Sequence, residues 1–246
     1  MSHEPSTFAL FRGLADTALG RTLREGPIRY FDATMDHADR LPATGGALLV
    51  GNHAMTGLDG FVLGALVGKE TGRYVRFLGE RNLWRIPLLG PVLDALGAVP
   101  GEREVAVKML QEGELVGVYP GGIDDSWKIT DTHRYRLQWG DRRGFAKVAM
   151  LAGVPILPVA AHGIDGMYDV VARERWVGRA LLGSSRYDLP LALGWKGTPI
   201  PKPVRQRYVV LPAIDTSGDP EDPAAVERVR AATFAALDEE LRPSQA

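Results

Sequence analysis

Cysteine is absent from the 246 residues of this chain. Without thiols there can be no disulfide bond, no thiolate nucleophile and no sulfur-ligated metal site such as a zinc ribbon or an iron–sulfur cluster. The sequence also lacks a Gly-x-Ser-x-Gly turn, which presents the nucleophilic serine of many hydrolases. Catalysis through a cysteine is therefore excluded, and a reducing compartment is compatible with the composition.

Long apolar runs are missing as well. The longest uncharged stretches, Leu41 to Leu58 and Val148 to Ile164, both contain proline and glycine, and neither offers the ~20 helical apolar residues that span a bilayer. The first residues, Met1 to Ser6, do not read as a basic and then apolar leader, so we expect no cleaved secretory signal. We predict one domain that does not cross a membrane.

The net charge of −1 hides an uneven distribution. Between Arg173 and Arg207, eight Lys/Arg residues oppose only Glu174 and Asp188. This basic region lies beside apolar clusters, which favours an anionic lipid headgroup or coenzyme phosphates over duplex DNA, and we predict no nucleic-acid partner. A solvated charged face explains the same composition.

Two parts of the surface are candidates for contact with lipid or coenzyme. One is an aromatic and basic segment that could rest on lipid, although core burial of its tryptophans is equally compatible with the pattern. The other is a basic cluster that could receive phosphates or could be a solvated face. The first comprises Trp176, Leu181, Leu182, Tyr187, Trp195, Arg175, Arg179, Arg186 and Lys196, and the second Arg134, Arg136, Arg142, Arg143 and Lys147.

Short apolar runs alternate with helical patterns along the chain, which is typical of an α/β fold. Strands are predicted at Gly46–Gly51, Tyr74–Leu78, Leu115–Tyr119, Val154–Ala160 and Tyr208–Leu211. Because Pro155 and Pro158 interrupt one of these runs, it is predicted to be a strand end or an edge strand. We predict a single domain with a mixed, largely parallel central sheet flanked by helices.

Helices are predicted where apolar residues recur at a spacing of three or four. Glu102–Glu112 places Val105, Ala106, Met109 and Leu110 on one face, and further stripes mark a helix ending before Gly153 and one starting at Pro223. An N-terminal stripe could pack on the core or lie on a bilayer. We therefore predict an amphipathic helical segment at residues 1–40 and the main domain at residues 41–246. The N-terminal stripe contains Phe8, Phe11, Leu14, Ala15 and Ala18.

The segment most indicative of chemistry is Gly51–Gly60, directly after the apolar strand. Ligands of α/β proteins collect where strands end. Gly57 allows a sharp turn, so His53 and Asp59 can face each other across the loop. An imidazole with a pKa of ~6.5 can take the proton of an attacking alcohol, and a carboxylate can fix its tautomer. By residue type alone, His53 and Asp59 could equally be structural hydrogen-bonding groups.

These residues resemble the first of four ordered motifs of the phospholipid/glycerol acyltransferase superfamily. The other three resemblances are Leu96–Glu104, Gly117–Gly122 and Val154–Val159, and Leu189–Arg205 is similar to bacterial relatives of monoacylglycerol and diacylglycerol acyltransferases. The resemblance covers roughly residues 48–214. Four motifs in order are far more specific than one.

The resemblance implies a glycerol-3-phosphate acyltransferase-like fold and transfer of a fatty acyl group to a lipid hydroxyl. His53 would be the general base and Asp59 its orienting partner. The donor would be an acyl-CoA or acyl carrier protein thioester, with no cofactor and no metal, at the inner face of the cytoplasmic membrane. The implied substrate-binding residues are Asn52, Arg103, Tyr119, Pro120, Gly121 and Gly122.

Residue chemistry supports two of these roles and offers an ordinary alternative for each. Arg103, in the first turn of a helix, could grip a phosphate or carboxylate, or could pair with Glu102 or Glu104 on the surface. Gly121 and Gly122 could expose backbone N–H groups to an oxyanion, or could simply form a turn.

Two departures from the superfamily pattern bear on function. Five residues separate His53 and Asp59 where the common phospholipid-forming members have four, and Gly121 stands where those members carry glutamate, with Asp124 and Asp125 following. The Pro-Gly-Gly sequence resembles the neutral-lipid branch. This favours monoacylglycerol, diacylglycerol or a long-chain alcohol as the acceptor over glycerol 3-phosphate.

Two other function classes compete with this interpretation. His53, Asp59, Asp124, Asp125, His133 and His162 could form the metal site of a hydrolase, although no paired His-Glu-x-x-His spacing is present. A lipid-binding or lipid-transfer module without catalysis is the other alternative.

Overall fold

A computed structural model describes residue 13 and residues 17–122, 125, 134–174 and 189–242. In this part of the chain, seven strands form one sheet and two form a separate hairpin. Residues 1–12 and 14–16, which carry most of the N-terminal stripe, lie outside the described residues, as does the stretch 175–188 of the aromatic and basic segment. The predicted division at residue 40 therefore stays a prediction.

The sheet has the order β1-β9-β6-β2-β5-β3-β4. Strands β2 to β6 run parallel to one another, whereas β9 is antiparallel to β6 and parallel to β1. The prediction of a mixed, largely parallel sheet is thus confirmed. The strands are β1 (Thr34–Asp36), β2 (Ala47–Gly51), β3 (Val75–Gly79), β4 (Val99–Pro100), β5 (Leu115–Val118), β6 (Ile156–His162), β7 (Asp169–Glu174), β8 (Leu189–Leu193) and β9 (Arg207–Val210), with β7 and β8 in the hairpin.

Helices connect the strands and cover both faces of the sheet. They are α1 (Ala18–Tyr30), α2 (Leu58–Thr71), α3 (Leu89–Ala95), α4 (Arg103–Gln111), α5 (Gly144–Ala152) and α6 (Pro223–Leu241). Among the helices of the described residues, none combines the length and the apolar character needed to cross a bilayer.

The central strand β2 shows why the sheet needs two covering layers. All five of its residues are buried, and successive side chains of a strand point to opposite faces. Ala47 and Leu49 join the apolar layer of α1 and α2, whereas Leu48 and Val50 join the layer of α4, α5 and α6. With both faces covered, the ends of the strands are where a ligand can reach the sheet.

Two details of the sequence-based assignment were wrong. Val105 is exposed, because it lies on the outer side of α4, whose buried face carries Ala106, Met109 and Leu110. Pro158 lies within the interior strand β6, between β2 and β9. The C=O of Pro158 accepts from the Leu211 N–H beyond the last β6–β9 pair, so the missing N–H of the proline faces β9 where the ladder has ended.

Candidate active site

Three parallel strands bring the predicted site residues to one edge of the sheet. His53 follows β2, Gly121 and Gly122 follow the neighbouring strand β5, and β6 lies on the other side of β2. Parallel strands end at the same edge, so the loops after β2, β5 and β6 form one continuous rim.

The structure brings His53 and Asp59 together. The Nδ1 atom of His53 lies 2.9 Å from Oδ2 of Asp59, a normal hydrogen-bond distance. The Asp59 side chain is 1% exposed and the His53 side chain 18% exposed. The carboxylate is therefore buried behind the ring, and part of the imidazole remains accessible from the rim.

The loop between the two residues accommodates the five-residue spacing through two left-handed positions. Thr56 has φ 75° and Gly57 has φ 73°. Glycine adopts this conformation freely, as predicted for Gly57, but a β-branched threonine rarely does. Such strain typically costs about 1–3 kcal/mol and is concentrated at functional sites.

An aromatic stack holds the imidazole from the side. The rings of His53 and Tyr119 are nearly parallel, 9° apart with centroids separated by 4.2 Å, and Phe77 stacks behind Tyr119 at 5.7 Å. Glycines make room for these rings: a Cβ on Gly117 would lie 2.5 Å from Phe77, and one on Gly51 would lie 3.3 Å from Tyr119. Tyr119 therefore contacts the imidazole directly, and its predicted contact with substrate stays a prediction.

The surroundings of the Asp59 carboxylate are only partly satisfied. Among the described residues, Oδ1 of Asp59 and the hydroxyl of Tyr119 are buried and form no hydrogen bond of ordinary geometry, although the two side chains are close enough for the Asp59 charge to act on the phenol. Burial and, second, the charge of the nearby Asp59 raise the pKa of Tyr119 well above its usual value, so the phenol stays protonated. The Tyr208 hydroxyl donates to the backbone oxygen of Asp59 at 3.2 Å, which holds the start of α2 against β9.

Asn52 has a supporting position. Its side-chain amide donates to the Ala161 carbonyl at 2.9 Å and accepts from the Ala161 N–H at 2.8 Å, and the residue is buried. Asn52 thereby joins the ends of β2 and β6. The predicted contact of Asn52 with substrate stays a prediction. Pro120 is also buried, at the end of β5.

Asp125 connects two loops of the rim. It is fully buried, and its Oδ2 accepts from the backbone N–H of His53 at 3.1 Å while its Oδ1 accepts from that of Gln138 at 3.0 Å. The Arg142 guanidinium donates to the carbonyl oxygen of Gly121 at 3.1 Å. The loop after β5 is therefore tied both to the His53 backbone and to the segment leading into α5.

The two glycines after Pro120 differ in their backbone contacts. Gly122 is left-handed at φ 50°, and its N–H donates to the Tyr119 carbonyl at 2.9 Å, which closes a turn. Among the described residues, the N–H of Gly121 has no acceptor. The turn interpretation thus describes Gly122, and Gly121 is the one of the two with a backbone donor available to a ligand.

Arg103 lies on the same edge of the sheet but at some distance from the His53–Asp59 pair. It is exposed and begins α4 directly after β4. Three strand spacings separate β4 from β2, which at ~4.8 Å each amounts to roughly 14 Å. Within the described part of the chain, Arg103 forms no ion pair with Glu102 or Glu104.

Those residues of the metal-site alternative that the structure describes form no cluster of metal ligands. His162 pairs with Glu240 on α6, whereas His53 pairs with Asp59. Asp124 and His133 lie outside the described residues, and within those that are described no three His, Asp or Glu side chains are grouped to hold a metal ion. In the basic cluster proposed for coenzyme phosphates, Arg143 pairs with Glu227 and Lys147 with Glu221.

Several residues around the dyad were not assigned to it from the sequence. Phe77 and Tyr208 reach the site from β3 and β9, and no local motif marks them. Asp125 was considered only as a metal ligand. The useful signal was Gly121 itself, because a glycine replacing a carboxylate residue leaves space that a nearby aspartate can fill.

Comparisons with known proteins identify the family of the chain. A sequence model described as Acyltransferase matches residues 33–162. The chain is 33% identical over 162 residues to a bovine and a human protein, each named "DGAT1/2-independent enzyme synthesizing storage lipids". The alignments cover 66% of this chain but only 47% and 48% of those proteins, so the match spans about half their length.

A solved structure shares the fold. The 1-acyl-sn-glycerophosphate acyltransferase PlsC of Thermotoga maritima superposes with a TM-score of 0.58 at 17% identity, over 96% of this chain and 88% of that one. The family match includes both His53 and Asp59, as well as the motif after β5. The chain belongs to the Acyltransferase family, in the phospholipid/glycerol acyltransferase superfamily.

Proposed function

We propose that this protein transfers a fatty acyl group from acyl-CoA or an acyl carrier protein to a hydroxyl group of a lipid. The observation that carries the proposal is the 2.9 Å contact between His53 Nδ1 and Asp59 Oδ2 at the open edge of the sheet. A buried carboxylate behind a partly exposed imidazole is a suitable general-base pair.

The proton path follows from this contact. An ionised Asp59 can only accept, so Nδ1 of His53 donates to it, and Nε2 is the basic nitrogen of the neutral ring. Nε2 takes the proton of the acceptor hydroxyl as its oxygen attacks the thioester carbonyl carbon. The tetrahedral intermediate then expels the thiolate, which takes up the proton from the imidazolium. An ester and a free thiol are formed, without an acyl-enzyme.

The developing oxyanion needs hydrogen-bond donors directed at the carbonyl oxygen of the thioester. The Gly121 N–H is the candidate, supported by its lack of an acceptor among the described residues, and the first turn of α2 is the other. Arg103, roughly 14 Å along the rim, is placed to hold a phosphate of the donor. Its separation from the dyad suits a long thioester better than a group next to the reacting carbon.

The proposed acceptor is a neutral glycerolipid or a long-chain alcohol. Gly121 and its neighbours resemble the neutral-lipid branch, and the bovine and human relatives are named as enzymes that synthesise storage lipids. A phosphorylated acceptor, such as the substrate named for PlsC, is the alternative that the assay below separates.

A membrane surface is proposed as the site of action, on the inner face of the cytoplasmic membrane. The β7–β8 hairpin follows β6 and so leaves the same edge that carries His53. Apolar side chains are exposed on it and on the chain that follows, with the Lys196 ammonium 4.7 Å from the Trp195 ring centre. The exposed apolar residues are Val171, Leu191, Trp195 and Ile200. Aromatic and basic residues together favour a lipid–water interface.

Incubation of the purified protein with labelled acyl-CoA or acyl carrier protein and a panel of lipid acceptors tests the proposal. We expect a labelled ester with a neutral acceptor and release of free thiol, both lost in His53→Ala. Ester formation only with lysophosphatidic acid would contradict the acceptor assignment. Binding of lipid without any ester would favour the lipid-transfer alternative.

Flotation with vesicles tests the membrane contact separately. The wild type should float with vesicles containing phosphatidylglycerol, and the double variant Leu191→Ser/Trp195→Ser should float less. Val105→Ser, which changes an exposed apolar residue on α4, is the matched control and should float like the wild type. Equal flotation of all three proteins would argue against contact through the hairpin.

A further inference from the structure

The side chain of Asp125 fills the space that a side chain at position 121 would need. A Cβ added to Gly121 would lie 2.1 Å from Cβ of Asp125 and 2.7 Å from its carboxyl carbon. Atoms that are not bonded cannot approach so closely, so a side chain at position 121 and the present side chain of Asp125 exclude each other. The two residues are four apart, and Asp125 N–H faces the Gly121 carbonyl at 3.4 Å.

The carboxylate in this space has two backbone partners. Oδ2 of Asp125 accepts from His53 N–H and Oδ1 accepts from Gln138 N–H, at 3.1 and 3.0 Å. Asp125 is fully buried, so the bonds are shielded from competing water. Hydrogen bonds to a charged acceptor are stronger than those between neutral groups.

The His53 residue is consequently held at three points by three different parts of the chain. Asp59 binds Nδ1, Tyr119 packs on the ring face, and Asp125 binds the backbone N–H. The first two set the orientation of the ring. The hydrogen bond to Asp125 fixes the position of the His53 backbone, just beyond the end of β2.

We propose that Asp125 is a positioning residue for His53, and that Gly121 is glycine in order to leave room for the Asp125 carboxylate. The proposal rests on the proposed function for its kinetic test, because it assigns His53 as the base. It predicts that turnover depends on a carboxylate in this space. The carboxylate can belong to residue 125 or to residue 121.

The first test compares Asp125→Ala with Asp165→Ala. Asp165 is a matched control, because its Oδ2 also accepts a backbone N–H from the same segment, that of Tyr135 at 2.6 Å, without contacting His53. We expect Asp125→Ala to lower kcat about 10-fold or more while leaving KM for the thioester within about twofold, as displacement of a catalytic group does. Asp165→Ala should keep kcat near the wild-type value.

The second test moves the carboxylate. Gly121→Asp alone should be unstable because of the 2.1 Å clash, and Asp125→Gly alone should be slow. The double variant Gly121→Asp/Asp125→Gly should recover most of the lost kcat. Hydrogen exchange at the His53 amide, read by NMR, should be at least about 10-fold faster in Asp125→Ala than in the wild type or in Asp165→Ala, because the charged acceptor is lost.

The outcomes separate the two proposals. Wild-type kcat in a folded Asp125→Ala protein, an equal loss in Asp165→Ala, or a double variant no faster than Asp125→Gly would overturn the positioning role while leaving the proposed function intact. Full turnover in His53→Ala would instead refute the proposed function. In that case unchanged protection of the His53 amide in Asp125→Ala would still overturn the structural part of this inference, and faster exchange would support it.

Discussion

Two histidine–carboxylate pairs in the described part of the chain have similarly exposed histidines but differ in the surroundings of their carboxylates. His53 lies 2.9 Å from Asp59, whose side chain is 1% exposed, and His162 lies 3.2 Å from Glu240, whose side chain is 30% exposed. Glu240 is shared with Arg207 at 3.6 Å. His53 is further held by the Tyr119 ring and by a strained loop.

The difference shows that pairing alone does not define a catalytic base. The Glu240 carboxylate is divided between His162 and Arg207, whereas Asp59 pairs with His53. Within the described residues, Oδ1 of Asp59 is buried without a hydrogen bond of ordinary geometry, and the Tyr208 hydroxyl contacts the Asp59 backbone oxygen at 3.2 Å. The surroundings of the His53–Asp59 pair therefore distinguish it as a candidate site from the partly buried His162–Glu240 pair.

Replacing each histidine by alanine gives the largest expected difference between the two pairs. We expect His53→Ala to lower turnover by about 100-fold or more, since general-base catalysis contributes at least that much. His162→Ala removes the ring of the other pair and should leave turnover nearly unchanged. Thioester consumption by both purified variants, with circular dichroism as a check of folding, measures the contrast. Equal losses would remove the distinction between the pairs.

The carboxylates allow a similar test with nearly isosteric changes. In Asp59→Asn the amide can present its NH2 group to Nδ1, which favours the wrong tautomer of His53, so turnover should fall by about 100-fold. Glu240→Gln should have little effect on turnover. The assay is the same, and a fully active Asp59→Asn protein would contradict the orienting role of Asp59.

An aromatic ring stacks on the histidine of the His53–Asp59 pair. Tyr119→Ala should remove the support of the ring and reduce kcat by about 10-fold, whereas Tyr119→Phe keeps the ring and should stay within about threefold of the wild type. The Tyr119 hydroxyl forms no hydrogen bond of ordinary geometry with the described residues, so its loss should cost little. Steady-state kinetics of the two variants decide whether the ring or the hydroxyl matters.

Alkaline pH should weaken the fold through the same region. Burial and the charge of Asp59 raise the pKa values of Tyr119 and Tyr208 above that of tyrosine in the unfolded chain. The contribution of these two tyrosines to the free energy of unfolding is therefore fully present below pH ~10. It is lost as pH rises further, because the unfolded chain releases these protons more easily than the folded protein does. Urea unfolding at pH 8 and pH 11 should show a smaller loss for Tyr119→Phe than for the wild type.

The strained loop should give the smallest effect. Thr56→Asn places a residue that tolerates left-handed backbone at φ 75°, so the free energy of unfolding should rise by up to about 1 kcal/mol. Thr34→Asn, in the strand β1, should instead lower it because asparagine is unfavourable in strands. Denaturant midpoints at constant slope measure both. A less stable Thr56→Asn protein would indicate that the threonine side chain outweighs the strain.

Local pattern predicted much of the fold and the pair at its edge. The apolar run of β2, the glycine at Gly57 and the helix that starts near Asp59 lie next to one another in the chain, so their geometry depends mainly on short-range preferences. The residues that surround the pair come from β3, β5 and β9 and from Asp125. No local pattern could connect these distant segments.

The sequence by itself determined that a histidine and an aspartate would follow the same buried strand of an α/β fold, within one loop and the start of the next helix. It also showed that a carboxylate expected after Pro120 was missing. Only the tertiary structure decided that Asp125 fills the space of that missing side chain, that Tyr119 stacks on His53, and that His162 is paired elsewhere. The physical reason is that strand order and packing, which bring together residues far apart in the chain, are set by burial across the whole sheet.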